Sequence, residues 1–101
     1  MADSPIACTL SSTELVRRRE ILAALGAACV EVRKIDNGVS LRFAPGAGTL
    51  ARLAEVIDLE RQCCRFLHFR LDVEPDGGPV RLELTGPPGT ADFVSAELGF
   101  V

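Results

Sequence analysis

Hydrophobic positions along the chain follow two periods. From residue 11 they recur at helical spacing, with Leu15, Leu22 and Leu25 at i, i+7 and i+10 on one face. Ahead of them Ser11-Ser12-Thr13-Glu14 matches a capping box, Ser11 as N-cap and Glu14 reaching back to its backbone. This predicts a helix to about Leu25, with Gly26 as its C-cap. Residues 28–35 then alternate, Ala28, Val30 and Val32 on one side and Cys29, Glu31 and Arg33 on the other. Asp36-Asn37-Gly38 carries the Asn-Gly hairpin signal, after which Val39, Leu41 and Phe43 alternate with Ser40 and Arg42.

The second half repeats this order. After the break at Pro45-Gly46-Ala47-Gly48, Thr49 is placed to cap a helix running to about Cys64, with Leu50, Leu53, Val56, Ile57 and Leu59 as its apolar face. Leu67, Phe69, Leu71 and Val73 alternate with His68, Arg70 and Asp72, Pro75-Asp76-Gly77-Gly78-Pro79 turns the chain, and Val80, Leu82 and Leu84 return. Thr90 caps a short last helix with Phe93, Val94 and Leu98. Ile6-Ala7-Cys8-Thr9-Leu10 adds a short edge strand. Each strand has one apolar face. The expected fold is therefore α+β, a two-layer sandwich in which an antiparallel sheet of two hairpins (four or five strands) carries helices on one face, in the order (β)-α-β-β-α-β-β-α. Residues 1–101 form one domain, and the shared order of residues 11–44 and 49–85 suggests an architectural duplication.

Composition narrows the function classes. Apolar content is 48% and charged content 25%, as in a folded globular protein. A net charge of −3 argues against non-specific nucleic-acid binding, and five Phe with no Trp or Tyr leave little to stack on bases. The dense basic run Arg17-Arg18-Arg19 is flanked by Glu14 and Glu20 and reads as a solvated helix face. The first residues lack the basic and apolar regions of a signal peptide, and no stretch nears the ~20 apolar residues of a membrane span. The expected compartment is the cytoplasm, where Cys8, Cys29, Cys63 and Cys64 would be mostly reduced thiols.

The candidate chemistry lies at the end of the second helix. Leu50, Leu53, Ile57, Glu60 and Cys64 form one stripe, with Glu60 three residues before Cys63 and four before Cys64. A carboxylate at the end of a core-facing stripe needs a partner, which a metal, an arginine or a histidine could supply. Vicinal thiols select soft ions such as Zn(II), Cu(I), Hg(II) or As(III). Cys8 is the natural third ligand, and Glu60 or His68 a fourth. Cys29, alone on a strand, reads as a packing residue. The negative end of the helix dipole disfavours a thiolate there, while Arg61, Arg65, His68 and Arg70 favour one. Conventional catalysis finds little support. The run Ala44-Pro45-Gly46-Ala47-Gly48-Thr49 lacks the lysine and spacing of a P-loop, there is no G-x-S-x-G elbow, and His68 is the single histidine.

The run Leu59-Glu60-Arg61-Gln62-Cys63-Cys64-Arg65-Phe66-Leu67 resembles the E-x-x-C-C-x-F-[LF] signature of small uncharacterised bacterial proteins often met beside mercury and arsenic resistance functions. The likeness extends to Ala7-Cys8-Thr9-Leu10-Ser11, to Glu74-Pro75-Asp76-Gly77-Gly78-Pro79 and to Leu84-Thr85-Gly86-Pro87. Arg65 stands where those proteins commonly have proline. The resemblance implies a metal-linked role for Cys8, Glu60, Cys63 and Cys64. Residues and resemblance together lead to a soft-metal-binding protein whose partners are the ion and a second copy or a metal-resistance protein. Thiol–disulfide redox or sensing, and a non-enzymatic dimerising module, are the alternatives.

Overall fold

The computed structural model describes residues 10–98. Cys8 lies outside them. So does the expected edge strand at residues 6–10 except for Leu10, which is buried against the core outside any strand. Seven elements follow: α1 (Ser12–Ala28), β1 (Cys29–Ile35), β2 (Gly38–Phe43), α2 (Thr49–Cys63), β3 (His68–Val73), β4 (Val80–Thr85) and α3 (Thr90–Leu98). This is the expected α+β order. The four strands form one antiparallel sheet in the order β1-β2-β4-β3, so each hairpin supplies one central and one edge strand.

Local chemistry explains the elements and two departures from the expected boundaries. The capping box forms: the Glu14 backbone N–H donates to Ser11 Oγ at 3.1 Å, and the Ser11 N–H donates to Glu14 Oε1 at 2.9 Å. The helix does not stop at Gly26. It runs on to Ala28 and passes directly into β1, with Cys29 as C-cap in an extended conformation and its N–H donating to the Gly26 carbonyl. In the first hairpin Ile35 pairs with Gly38, so the turn residues are Asp36 and Asn37, and Asn37 takes the positive φ of 56°. Gly38 is a strand residue.

A register shift between Cys29 and Glu31 changes the expected alternation of β1. Cys29 pairs with Phe43 and Val32 with Leu41, so both share the face of the core, with the bulge between them. Val39, Leu41 and Phe43 of β2 and Val80, Leu82 and Leu84 of β4 are buried. They meet Ile21, Leu22 and Leu25 of α1, Leu53, Val56 and Leu59 of α2, and Val94 and Leu98 of α3. The edges are less well covered: Val32 of β1 and Leu71 and Val73 of β3 lie on the core side yet remain exposed.

The opposite face is polar. Ser40, fully buried, receives a hydrogen bond from Arg81 Nη1 at 2.8 Å, and the Glu31 carboxylate forms ion pairs with Arg42 and Arg81 at 3.6 and 3.8 Å. Across the sheet these residues form a row, Glu31–Arg42–Arg81–Asp72, beside a second, Arg33–Ser40–Glu83–Arg70. None of the described helices is long and apolar enough to cross a membrane.

Candidate functional site

Helix α2 delivers the candidate residues to one end of the helical layer. Its buried face is Leu53, Val56, Leu59, Glu60 and Cys63, whereas Leu50 at its start is exposed. The helix closes at Cys64, whose N–H donates to the Glu60 carbonyl at 2.7 Å and whose carbonyl accepts from Leu67 at 3.1 Å. That short return sends Phe66 against Phe93 of α3, ring centroids 5.3 Å apart, and so ties the segment after the cysteines to the last helix.

Glu60 finds its partner in Arg18 of α1. Its side chain is 4% exposed, and Arg18, 16% exposed, donates to it through Nε. Arg18 Nη2 also donates to Glu97 Oε1 at 3.1 Å and to the Glu97 carbonyl at 3.4 Å. The middle residue of the basic run is thus not part of a solvated face. It points inward and links α1, α2 and α3. Burial works against its charge, but the hydrogen bond and charge of Glu60, then the charge of Glu97, hold its pKa above the ordinary value. Its neighbour Arg17 behaves as expected of a surface residue, pairing with exposed Glu55 at 2.8 Å.

Cys64 lies against this pair. Its residue is 1% exposed and its Sγ–H donates to Glu60 Oε1 at 3.8 Å. Ligand-type atoms of Glu60, Cys64 and Glu97 lie within 4.8 Å of one another. Burial first, then the carboxylates of Glu60 and Glu97, push the Cys64 thiol up to about 12, with Arg18 pulling the other way. The thiol is therefore protonated at neutral pH. An open pocket of about 510 Å³ lies beside it, lined by Asp58, Arg61, Gln62, Arg65 and Leu67.

The remaining candidates are distributed differently. Cys63 is buried and disulfide-bonded, a departure from the expectation of reduced thiols. Cys29 and Cys64 are free. Cys29 is half-buried on β1, its Sγ 3.5 Å from the Glu31 carbonyl, and burial raises its pKa. His68 is exposed and pairs with Thr85 on the polar face of the sheet, away from the helices that hold Glu60 and Cys64. Glu60 and Cys64 are thus brought together, and His68 is not brought to them. Arg18 and Glu97 complete the cluster without having been singled out. For Arg18 a signal existed, because Leu15, Arg18, Leu22 and Leu25 recur at steps of three, four and three.

The protonated state makes Cys64 a poor nucleophile. With a thiol at about 12 rather than the ordinary 9.0, its thiolate population near pH 8 falls by two to three orders of magnitude. Iodoacetamide should therefore label Cys64 roughly a hundredfold or more slower in the native protein than in urea, as read by peptide mass spectrometry. Equal rates would remove this account. Because the folded pKa lies above the unfolded one, the associated stability is complete below about pH 9 and is lost as pH rises toward 12.

Arg18 already pairs with both carboxylates of the cluster, so a hard cation would have to displace a guanidinium to bind there. A soft ion has a different choice, because its preferred donors are the sulfurs. No protein-family model, no curated protein sequence and no solved structure matches this chain.

Proposed function

We propose that this protein binds a thiophilic ion, such as Hg(II), As(III), Zn(II) or Cu(I), as cargo to be sequestered or handed on. The ion is held by Cys63 and Cys64 once Cys63 is reduced, with Cys8 as third ligand. The observation that carries this reading is the position of Cys64, a buried thiol at the end of α2 with Glu60 and Glu97 around it. A soft ion displaces the thiol proton on coordination, so a high pKa does not prevent binding; it makes binding release a proton and strengthen as pH rises. Arg18 stays on the carboxylates and keeps them from competing for harder cations. Arg61 and Arg65, beside the pocket that reaches Cys64, offset the negative charge that thiolates bring.

The test is native mass spectrometry of the reduced protein with one equivalent of Hg(II), As(III) or Zn(II). The wild type and a Cys29→Ser variant are expected to take up one ion, and Cys63→Ser/Cys64→Ser to lose that uptake. Equal binding by the wild type and the double variant overturns the proposal. The disulfide at Cys63 favours a second reading, reversible thiol–disulfide chemistry. The same measurement separates the two: a protein that gains two hydrogens on reduction by thioredoxin and then takes up no ion is a redox protein.

A further inference from the structure

The two edges of the sheet differ. β1 carries a bulge between Cys29 and Glu31, its Lys34 is tied to Asp92 of α3 at 3.1 Å, and its Glu31 is engaged by Arg42 and Arg81. Bulges and edge lysines are the usual means of blunting an edge against pairing. β3 has none of these. It pairs with β4 without a shift from His68 to Val73, and its Leu71 and Val73 are 36% and 51% exposed on the core side. On the other side, none of His68, Arg70, Asp72 and Glu74 makes an ion pair or side-chain hydrogen bond among the described residues.

The direction of the main-chain groups follows from one hydrogen bond. The Glu74 N–H donates to the Pro79 carbonyl at 3.2 Å, one step beyond the Val73–Val80 pair. In an antiparallel ladder bonded pairs alternate with non-bonded ones. Asp72, Arg70 and His68 therefore turn their main-chain groups toward β4, and Phe69, Leu71 and Val73 turn theirs to the open edge.

We propose that β3 pairs antiparallel with β3 of a second copy about a two-fold axis at Leu71, joining two four-stranded sheets into one of eight. His68-Phe69-Arg70-Leu71-Asp72-Val73-Glu74 is self-complementary in this register. Leu71 meets Leu71 and Phe69 meets Val73 through their outward main-chain groups, with their apolar side chains on the helix side. On the polar side Arg70 faces Asp72 and His68 faces Glu74, each twice. The neighbouring two-fold registers oppose Arg70 to Arg70 or Asp72 to Asp72, and like charges directly opposite each other destabilise a pair. The polar row continues across the joint, with Asp72 between its own Arg81 and Arg70 of the second copy. The contact is isologous and closes on itself, so it ends at a dimer.

Sedimentation velocity on the full chain at roughly 100 μM, where mass action favours association, tests this. The wild type is expected to sediment as a dimer. Arg70→Asp and Asp72→Arg each place like charges opposite each other twice and should weaken the dimer about tenfold or more, with the fold retained by circular dichroism. Arg70→Asp/Asp72→Arg restores complementarity between copies and should recover the wild-type constant. Within one copy the same double change sets a carboxylate opposite Glu83 and a guanidinium opposite Arg81 in the β3–β4 register, so a role confined to the monomer makes the double variant the worst of the three. A monomeric wild type overturns the proposal, and so does a dimer indifferent to the single changes or not rescued by the double one.

Discussion

Alanine at Gly38 should lower stability by about 3 kcal/mol or more, and the thermal midpoint by roughly 10–20 °C, because its Cβ would make the closest approach of those at the glycines Gly38, Gly46, Gly48, Gly77, Gly78, Gly86 and Gly89. Gly38 opens β2 and pairs with Thr85 at the end of the ladder between the two central strands. A Cβ there would sit 2.0 Å from the Leu84 carbonyl oxygen and 2.9 Å from Leu84 C and Thr85 Cα. All three are backbone atoms, so no side chain can turn aside to make room. β4 must back away from β2, and the pairs Val39–Leu84 and Leu41–Leu82, which carry the middle of the core, separate with it. Gly46→Ala is the control. Its new methyl would meet nothing nearer than Thr49 Oγ1 at 3.4 Å, and it should change stability by less than about 0.5 kcal/mol. Urea and thermal denaturation followed by circular dichroism measure both. Matching curves for Gly38→Ala and the wild type would show that the strands can separate at this point without loss.

The same residue shows how far the sequence could be read. Asn37-Gly38 marks a hairpin, and a hairpin is there, but the pattern does not say which residues the turn uses. Tertiary pairing decides: β4 approaches so closely that only glycine fits at position 38, which makes Gly38 a strand residue and leaves the positive φ to Asn37. Gly26 departs from its expected place for the opposite reason. Glycine just after an apolar stripe is a common helix stop, yet here the chain extends straight into β1 and needs no left-handed residue. The order of elements survived both errors because it rests on long alternating and helical runs, whereas boundaries rest on single residues whose conformation distant neighbours choose.

The site was legible in part. Glu60 and Cys64 fall on one stripe of α2, and the need of a buried carboxylate for a partner follows from its burial alone. The partner's identity did not follow. Three consecutive arginines look alike in sequence, and only packing turns Arg17 outward to Glu55 and Arg18 inward to Glu60. Glu97 was unreadable because its role depends on where α3 docks, a contact between residues 79 positions apart. The disulfide at Cys63 has no signature in the spacing of the cysteines, and a cytoplasmic setting implies reduced thiols.

Glu60→Ala is expected to destabilise the protein by about 3 kcal/mol, at the low end for a broken buried ion pair because Glu97 still holds one side of Arg18. The change leaves a guanidinium that is 16% exposed without its principal counter-ion, and opens a void among three helices. Arg18→Met alone should cost a comparable amount by stranding the Glu60 carboxylate, which is 4% exposed. Arg18→Met/Glu60→Met replaces both charges by apolar atoms and should recover most of the loss, since a buried pair is worth little more than well-packed side chains of similar volume. The double-mutant cycle then reads the coupling directly in denaturant midpoints. Additive losses would mean that the two residues do not act as a pair. Removing Glu60 has a second effect that unfolding alone cannot imitate. It takes away the carboxylate that, after burial, does most to raise the Cys64 thiol, so native-state alkylation of Cys64 should quicken in Glu60→Ala. In Arg18→Met, where the carboxylate remains and the opposing cation is gone, it should slow. Opposite shifts in thiol reactivity from two changes of similar destabilisation would place the cause in the local field around Cys64, because a loosened fold would speed both.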